Sequence, residues 1–241
     1  MVDIHCHILP GLDDGSDNIE ESVRMARLAA DGGTKAIIVT PHSNIPDSYT
    51  NYCDTRYVDT FKALKSRLKE ENIPLKIYPG HEIYSSGNVI GLIRENKLLT
   101  LRNSDYLLIE FAFKEYGETV YRRLRELVAE GFTPVVAHPE RYAFVAEDDF
   151  APVRLKEIGC LIQINKGSLK GSFGREARVI SHSLIRNGIA DFVASDAHSP
   201  YMRTPYLADV HDLICDIHSE DYADLLLSVN PDKILKNEKI R

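Results

Sequence analysis

Seven short apolar runs, most of them followed by a stretch of helical periodicity, leave this 241-residue chain few folds to choose from. Val2–Ile8 is apolar and stops at Pro10-Gly11. Ala36–Thr40 has the unbroken apolar character of a strand covered on both faces, and it stops at Pro41. Further strands are predicted near Leu75–Tyr78, Tyr106–Phe111, Pro134–Ala137, Cys160–Asn165 and Asp191–Ser195. Between them, Asp17 with Glu20 three residues on reads as a capping box opening a helix to about Ala30, stopped by Gly32-Gly33. A second helix is expected from Asp54 to about Glu71, and others over roughly Val89–Glu95, Val120–Glu130, Phe150–Ile158 and Arg175–Arg186. The tail, Tyr206–Asn237, reads as helical with an interruption at Pro231. Strands alternating with helices must run parallel. The expectation is one α/β domain over residues 1–241, either a barrel or a doubly wound sheet.

Composition narrows the function. The formal net charge of −7 argues against a nucleic-acid groove, because phosphate backbones select basic faces. Cys6, Cys53, Cys160 and Cys215 are scattered and form no C-x-x-C pair, which favours a reducing compartment over a disulfide scaffold. None has an arginine six residues later, so the loop of a thiolate phosphatase is absent. The N-terminus lacks the basic and apolar regions of a secretory leader, and no apolar run approaches the ~20 residues of a membrane span. A soluble, cytoplasmic protein without membrane insertion is expected.

The histidines and carboxylates fall at strand ends. His5 and His7 end the first strand, and Asp14 sits in the Asp13-Asp14-Gly15 turn after it. His42 follows the second strand, Glu82 the third; Glu110 ends the fourth, His138 the fifth, and Asp196 with His198 the seventh. In a parallel barrel the strand C-termini share one face, so these nine residues from six strands would converge on one mouth. Extended geometry puts His5 and His7 on one side and Cys6 on the other; the same alternation is expected for Asp196-Ala197-His198. Imidazole and carboxylate donors without thiolate suit Mn, Fe or Zn. The Asp-rich turn lacks EF-hand spacing, and His81-Glu82 does not continue as H-E-x-x-H.

The stretches Asp3-Ile4-His5-Cys6-His7-Ile8-Leu9-Pro10, Asp13-Asp14-Gly15, Thr40-Pro41-His42, Ile109-Glu110-Phe111, Ala137-His138-Pro139-Glu140-Arg141 and Ala194-Ser195-Asp196-Ala197-His198 resemble the PHP (polymerase and histidinol phosphatase) superfamily. More narrowly, the chain resembles the bacterial manganese-dependent protein-tyrosine phosphatases of capsule and exopolysaccharide biosynthesis, in order from residue 3 to at least residue 203. The resemblance implies a distorted (β/α)7 TIM-like barrel, the PHP fold, binding two to three Mn2+ (or Fe or Zn) ions. One ion would take His5, His7, Glu82 and Asp196; a second would share Glu82 and add Glu110 and His138; a third would take Asp14, His42 and His198. It implies catalytic roles for Arg141, Arg203 and His42, the arginines lying near the substrate phosphate. The Glu20-Glu21…Arg24 pattern is similar to one that builds rings in some members, and equally reads as a solvated helix face with ion pairs.

Two departures stand out. Related sequences often carry a basic residue after the third-metal histidine, where this chain has Ser43, and the Ser43–Tyr52 loop is uncharged apart from Asp47. His81 is expected to lie behind the ligands or at the surface, and His182, His211 and His218 on helices away from the mouth.

The implied reaction is hydrolysis of a phosphotyrosine protein or peptide, such as a bacterial tyrosine kinase, by metal-activated hydroxide without a phosphoenzyme. Four carboxylates against three divalent ions leave a positive centre, which would let an acidic protein bind a phosphate monoester. The alternatives are a small-molecule phosphomonoesterase such as histidinol phosphatase, and a non-catalytic regulator docking on a kinase.

Overall fold

Two of the seven predicted strands resume beyond the proline or proline-glycine break that follows them. The computed structural model describes residues 1–240, with strands β1 (Val2–Cys6), β2 (Ala36–Val39), β3 (His42–Ser43), β4 (Lys76–Tyr78), β5 (Glu82–Tyr84), β6 (Tyr106–Glu110), β7 (Thr133–Ala137), β8 (Leu161–Asn165) and β9 (Phe192–Ala194). β2 and β3 are one stave broken at Thr40-Pro41, and β4 and β5 one stave broken at Pro79-Gly80-His81. Pro41 and Pro79 have no N–H to give a ladder. At Gly80 a Cβ would stand 2.8 Å from Ile38 Cγ2, so only glycine lets the chain turn there. Because of the breaks, the lower halves pair as β1-β2-β4 and the upper halves join a six-stranded sheet, β3-β5-β6-β7-β8-β9, all parallel.

The two sheets form one seven-stave, distorted barrel. It closes between the end of β1 and the segment after β9, where Asp196 N donates to His5 O (2.8 Å) and His7 N donates to Ala197 O (2.9 Å). Asp3, fully buried, clasps the same seam by accepting from the backbone N–H groups of His5 and Ser195. The interior is filled rather than open: Ile4, Ile38, Leu108, Val135, Phe192 and Ile234 pack as one cluster.

Helices α1 (Ile19–Asp31), α2 (Thr55–Glu70), α3 (Val89–Arg94), α4 (Gly117–Ala129), α5 (Ala143–Ala146) and α6 (Ala151–Ile158) follow the strands in turn. α7 (Lys166–Leu169), α8 (Arg175–Arg186), α9 (Ala208–Ile217), α10 (Glu220–Asp224) and α11 (Asn230–Lys236) complete the chain. Amphipathic spacing explains their seating: Val23, Met25, Ala26 and Ala29 of α1 and Leu64 and Leu68 of α2 pack on the outer faces of β1, β2 and β4. Pro231 does not break the tail. The helix widens into a π turn over Leu225–Val229 just ahead of it, and the break falls at His218–Ser219, where His218 leaves helical dihedrals. Among the described residues no helix is long and apolar enough to cross a membrane.

The capping box of α1 sits one residue later than expected. The cap is Asn18, whose side chain accepts from Glu21 N (3.0 Å), and Glu21 returns a bond to Asp17 N (3.3 Å). Asn18→Ala is therefore expected to cost about 1 kcal/mol and lower Tm by about 2–4 °C, while Asp17→Ala stays within about 0.5 kcal/mol. Thermal unfolding of the two variants by circular dichroism separates these positions.

Candidate metal centre

All nine residues expected to converge do so. Alternation along β1 turns the His5 and His7 rings to one side, their Nε2 atoms 3.1 Å apart, and sends Cys6 into the apolar layer beneath α1 and α2. Glu82, at the start of β5, is in the middle. Its carboxylate lies 3.2 Å from His5 Nε2, 3.3 Å from His7 Nε2, 2.9 Å from His42 Nδ1 and 3.0 Å from His138 Nε2. Asp196 Oδ1 lies 3.3 and 3.4 Å from the same His5 and His7 nitrogens. Glu110 approaches His42 (3.6 Å) and His138 (3.5 Å), and Asp14 spans His42 (3.6 Å) and His198 (3.5 Å) at the rim.

Three overlapping sets of donor atoms come close enough to share an ion: His5, His7 and Asp196; His42, Glu82 and Glu110; and His7, Asp14, His42 and His198. His7 and His42 thus each belong to two sets, whereas the resemblance gives His7 to the first ion alone, His42 to the third alone, and His138 to the second beside Glu82 and Glu110. The extended geometry expected through Asp196-Ala197-His198 does not persist. Asp196 takes φ +47° and His138 φ +35°, and this left-handed turn at two strand ends aims both side chains back into the mouth. A non-glycine residue held there costs on the order of 1–3 kcal/mol, the kind of strain that collects at functional sites.

Two carboxylates flank the turn after β1, and only one was expected to matter. Asp14 faces the rim; Asp13 is buried and accepts from His7 Nδ1 (2.7 Å), His42 N (2.8 Å) and Gly15 N (3.0 Å). Gly15 permits the turn because a Cβ would fall 2.2 Å from His7 O. The signal for Asp13 was present in Asp13-Asp14-Gly15, but spacing does not tell which acid turns inward. An imidazole whose Nδ1–H is held by a carboxylate presents Nε2 as a lone pair, the usual backing of a metal-ligating histidine.

The electrostatics follow. Burial works against charge throughout, yet at His7 Asp13, with Asp196 and Glu82, outweighs it and holds that imidazole well above its ordinary value. Burial likewise raises the Glu82 carboxyl, but His5 and His42 overcome it and keep it well below the ordinary range. Burial, and then the charge of Glu82, push Glu110 up to about 8. The donor set fits divalent cations on its own geometry. The His5 and His7 Nδ1 atoms face acceptors behind the cluster, so in the neutral rings both Nε2 lone pairs enter it, from atoms 3.1 Å apart. His42 Nδ1 and Glu82 Oε2, though 2.9 Å apart, are not aligned to bond each other, and both are buried without a hydrogen-bond partner. Lone pairs aimed at common points rather than at one another are what a cation satisfies.

Both expected arginines reach the edge of this cluster. Arg203 Nη2 lies 2.5 Å from Asp196 Oδ2, and Arg141 Nη1 lies 3.8 Å from the same oxygen. The Arg141 guanidinium sits between the rings of Phe113 (4.4 Å) and Phe173 (4.2 Å), neither of which the sequence singled out. The Ser43–Tyr52 loop folds back so that Tyr49 stacks on His42, with 6.0 Å between ring centroids, and Asn51 donates to Leu12 O and His42 O. His81 is not at the surface. It is fully buried, its Nδ1 accepts from Leu99 N, and burial drives its pKa down to about 3, a neutral packing residue beside Tyr57. His182 donates to Leu169 O, and His211 and His218 lie on α9 and at its end. Glu21 pairs with Arg24 (3.6 Å) and Glu20 with Arg67 (3.5 Å) within the chain.

Residues 1–236 match the family model described as Capsular polysaccharide synthesis, CpsB/CapC. The chain belongs to the CpsB/CapC family. Among its relatives, the tyrosine-protein phosphatase YwqE of Bacillus subtilis is 35% identical over 242 residues, covering 100% of this chain and 93% of that protein. The putative tyrosine-protein phosphatase CapC of Staphylococcus aureus is 33% identical with the same coverage, and CpsB of Streptococcus agalactiae is 28% identical across the whole of both chains. A crystal structure from work on YwqE and on CpsB of Streptococcus pneumoniae, described as unique metal-dependent tyrosine phosphatases, superposes with a TM-score of 0.92 at 35% identity, covering 100% of this chain and 96% of that one. A lactonase of Listeria monocytogenes shares the fold of this CpsB/CapC protein at 16% identity and a TM-score of 0.59.

Proposed function

We propose that this protein is a metal-dependent protein-tyrosine phosphatase of capsular polysaccharide synthesis, acting on a phosphotyrosine protein such as a bacterial tyrosine kinase. The observation that carries the reading is Glu82 among four imidazoles, with two arginines at the edge of the same cluster. Divalent ions, with Mn2+ the first choice, would be held by His5, His7, Glu82 and Asp196; by Glu82, Glu110 and His138; and by Asp14, His42 and His198. Bound there, they would lower the pKa of water toward neutrality and offset phosphate charge.

The chain's own groups supply the rest. Arg141 and Arg203 offer N–H donors to the equatorial phosphoryl oxygens, where charge spreads in the transition state. Phe113 and Phe173 both pack their rings against the Arg141 guanidinium, at 4.4 and 4.2 Å, and so restrain it beside the cluster. A phenolate, with pKa near ~10, leaves with less acid assistance than an alkoxide. A 360 Å³ cavity beside Arg141, lined by Phe113, Lys114, Phe173 and Glu176 among others, offers room for residues flanking a phosphotyrosine and favours a peptide over a small metabolite.

Chelated protein is expected to be inactive, and Mn2+ to restore hydrolysis of an aryl phosphate and of a phosphotyrosine peptide but not of histidinol phosphate. Activity that survives chelation sinks the metal reading. Preference for histidinol phosphate would transfer the protein to the small-molecule class.

A further inference from the structure

Two buried amides on β8 have no place in the roles assigned so far. Alternation along Leu161–Asn165 sends Ile162 and Ile164 to the helix layer and turns Gln163 and Asn165 into the barrel, where both are fully buried. Amides so placed are costly unless every group bonds. They do bond, in a chain with a single direction. The Asp196 carboxylate only accepts, so the group that meets Asp196 Oδ2 is Asn165 Nδ2. Asn165 Oδ1 then faces the other way and accepts from Gln163 Nε2 (2.9 Å). Gln163 Oε1 in turn faces His5 Nδ1 (2.9 Å), and that nitrogen must carry the proton. The ring closes, because His5 Nε2 stands 3.3 Å from the other oxygen of the same Asp196.

We propose that Gln163 and Asn165 are positioning residues: the acceptor-only character of Asp196 is relayed through the two amides to hold His5 as its Nδ1–H tautomer, with the Nε2 lone pair aimed into the cluster. His7 gets the same orientation from a carboxylate, Asp13, whereas His5 gets it from a neutral relay that adds no charge to a centre already holding four acids. The value of that orientation for an ion rests on the metal reading above; the tautomer itself does not.

Nitrogen-15 spectra of the full-length, metal-free protein at alkaline pH, with His5 assigned by its loss in His5→Gln, read the tautomer directly. The parent is expected to show a protonated Nδ1 and a bare Nε2. Gln163→Leu removes the acceptor, so the proton is expected to move to Nε2, where Glu82 and Asp196 remain to receive it. Gln163→Glu restores an acceptor at Nδ1 and is expected to restore the parent tautomer, a rescue that a mere packing role would not show. In parallel, calorimetric titration with Mn2+ is expected to be about 10–100-fold weaker for Gln163→Leu, as for other residues that orient a ligand. If Gln163→Leu does not fold by circular dichroism, Asn165→Ala frees the Gln163 amide to turn over and is expected to give both tautomers. An Nε2–H parent, or an unchanged tautomer in the folded variants, overturns the relay even where Mn2+ binds. A parent that takes up no Mn2+ but shows the tautomer switch supports the relay and overturns only the metal reading.

Discussion

Glu82→Gln lowers kcat/KM for an aryl phosphate by about a thousandfold or more, equivalent to about 4 kcal/mol of transition-state stabilisation. Among the described residues Glu82 alone meets four imidazoles, and its two oxygens divide them: Oε1 toward His5 and His138, Oε2 toward His7 and His42. Glutamine keeps the volume and one acceptor. The other half becomes an NH2 aimed at an imidazole nitrogen, and the negative charge that would bridge two ions is gone. The expected signature is a drop in kcat with at least one bound ion lost, read by steady-state kinetics together with elemental analysis of the purified variant. Glu110→Gln should be milder. Among the imidazoles of the described residues Glu110 approaches two, His42 and His138, at 3.6 and 3.5 Å, and its carboxyl is already pushed up to about 8. If Glu82→Gln keeps a tenth of the parent activity, Glu82 does not hold the centre together.

Arg141→Ala is the second large effect, a loss of about 10²–10³-fold in kcat/KM, the scale of removing one donor from a preorganised oxyanion site. Arg141→Lys is expected to recover little of it. Two rings, Phe113 and Phe173, pack against the flat guanidinium of Arg141, and an ammonium on a flexible stem neither stacks that way nor offers two parallel donors. Phe173→Leu, which leaves the charge in place, is expected to raise KM more than it lowers kcat, because the arginine must then be ordered by the substrate. The same Phe173 ring lies 5.3 Å from Arg203, so both arginines loosen together. Phosphotyrosine-peptide kinetics on Arg141→Ala, Arg141→Lys and Phe173→Leu decide the matter, and full activity in Arg141→Lys would mean that charge alone suffices.

Much of this was legible in the chain. Apolar runs alternating with helical stretches predicted the order of strands and helices in a parallel α/β domain, and the period-2 spacing of His5 and His7 predicted their shared face, because both properties depend on neighbours a few residues apart. The nine donors could be named for the same reason: each lies at or just beyond the C-terminal end of a predicted strand, and parallel strands end together. What was misread locally was small. Asn18 rather than Asp17 caps α1, since adjacent polar residues compete for one geometry, and the prolines at positions 41 and 79 split two staves into four segments.

The sequence pattern by itself determined a parallel α/β domain and the convergent donors, and the family resemblance added the barrel and the two arginines. The tertiary structure alone decided which of two adjacent acids backs His7, why Asp196 turns inward at φ +47°, that His42 serves two donor sets, and that Gln163 joins His5 across 158 positions of chain. The physical reason is range. Spacing governs which face a residue takes on its own strand, whereas partners across the barrel are set by strand register and by the turns that close it, and no local pattern carries either.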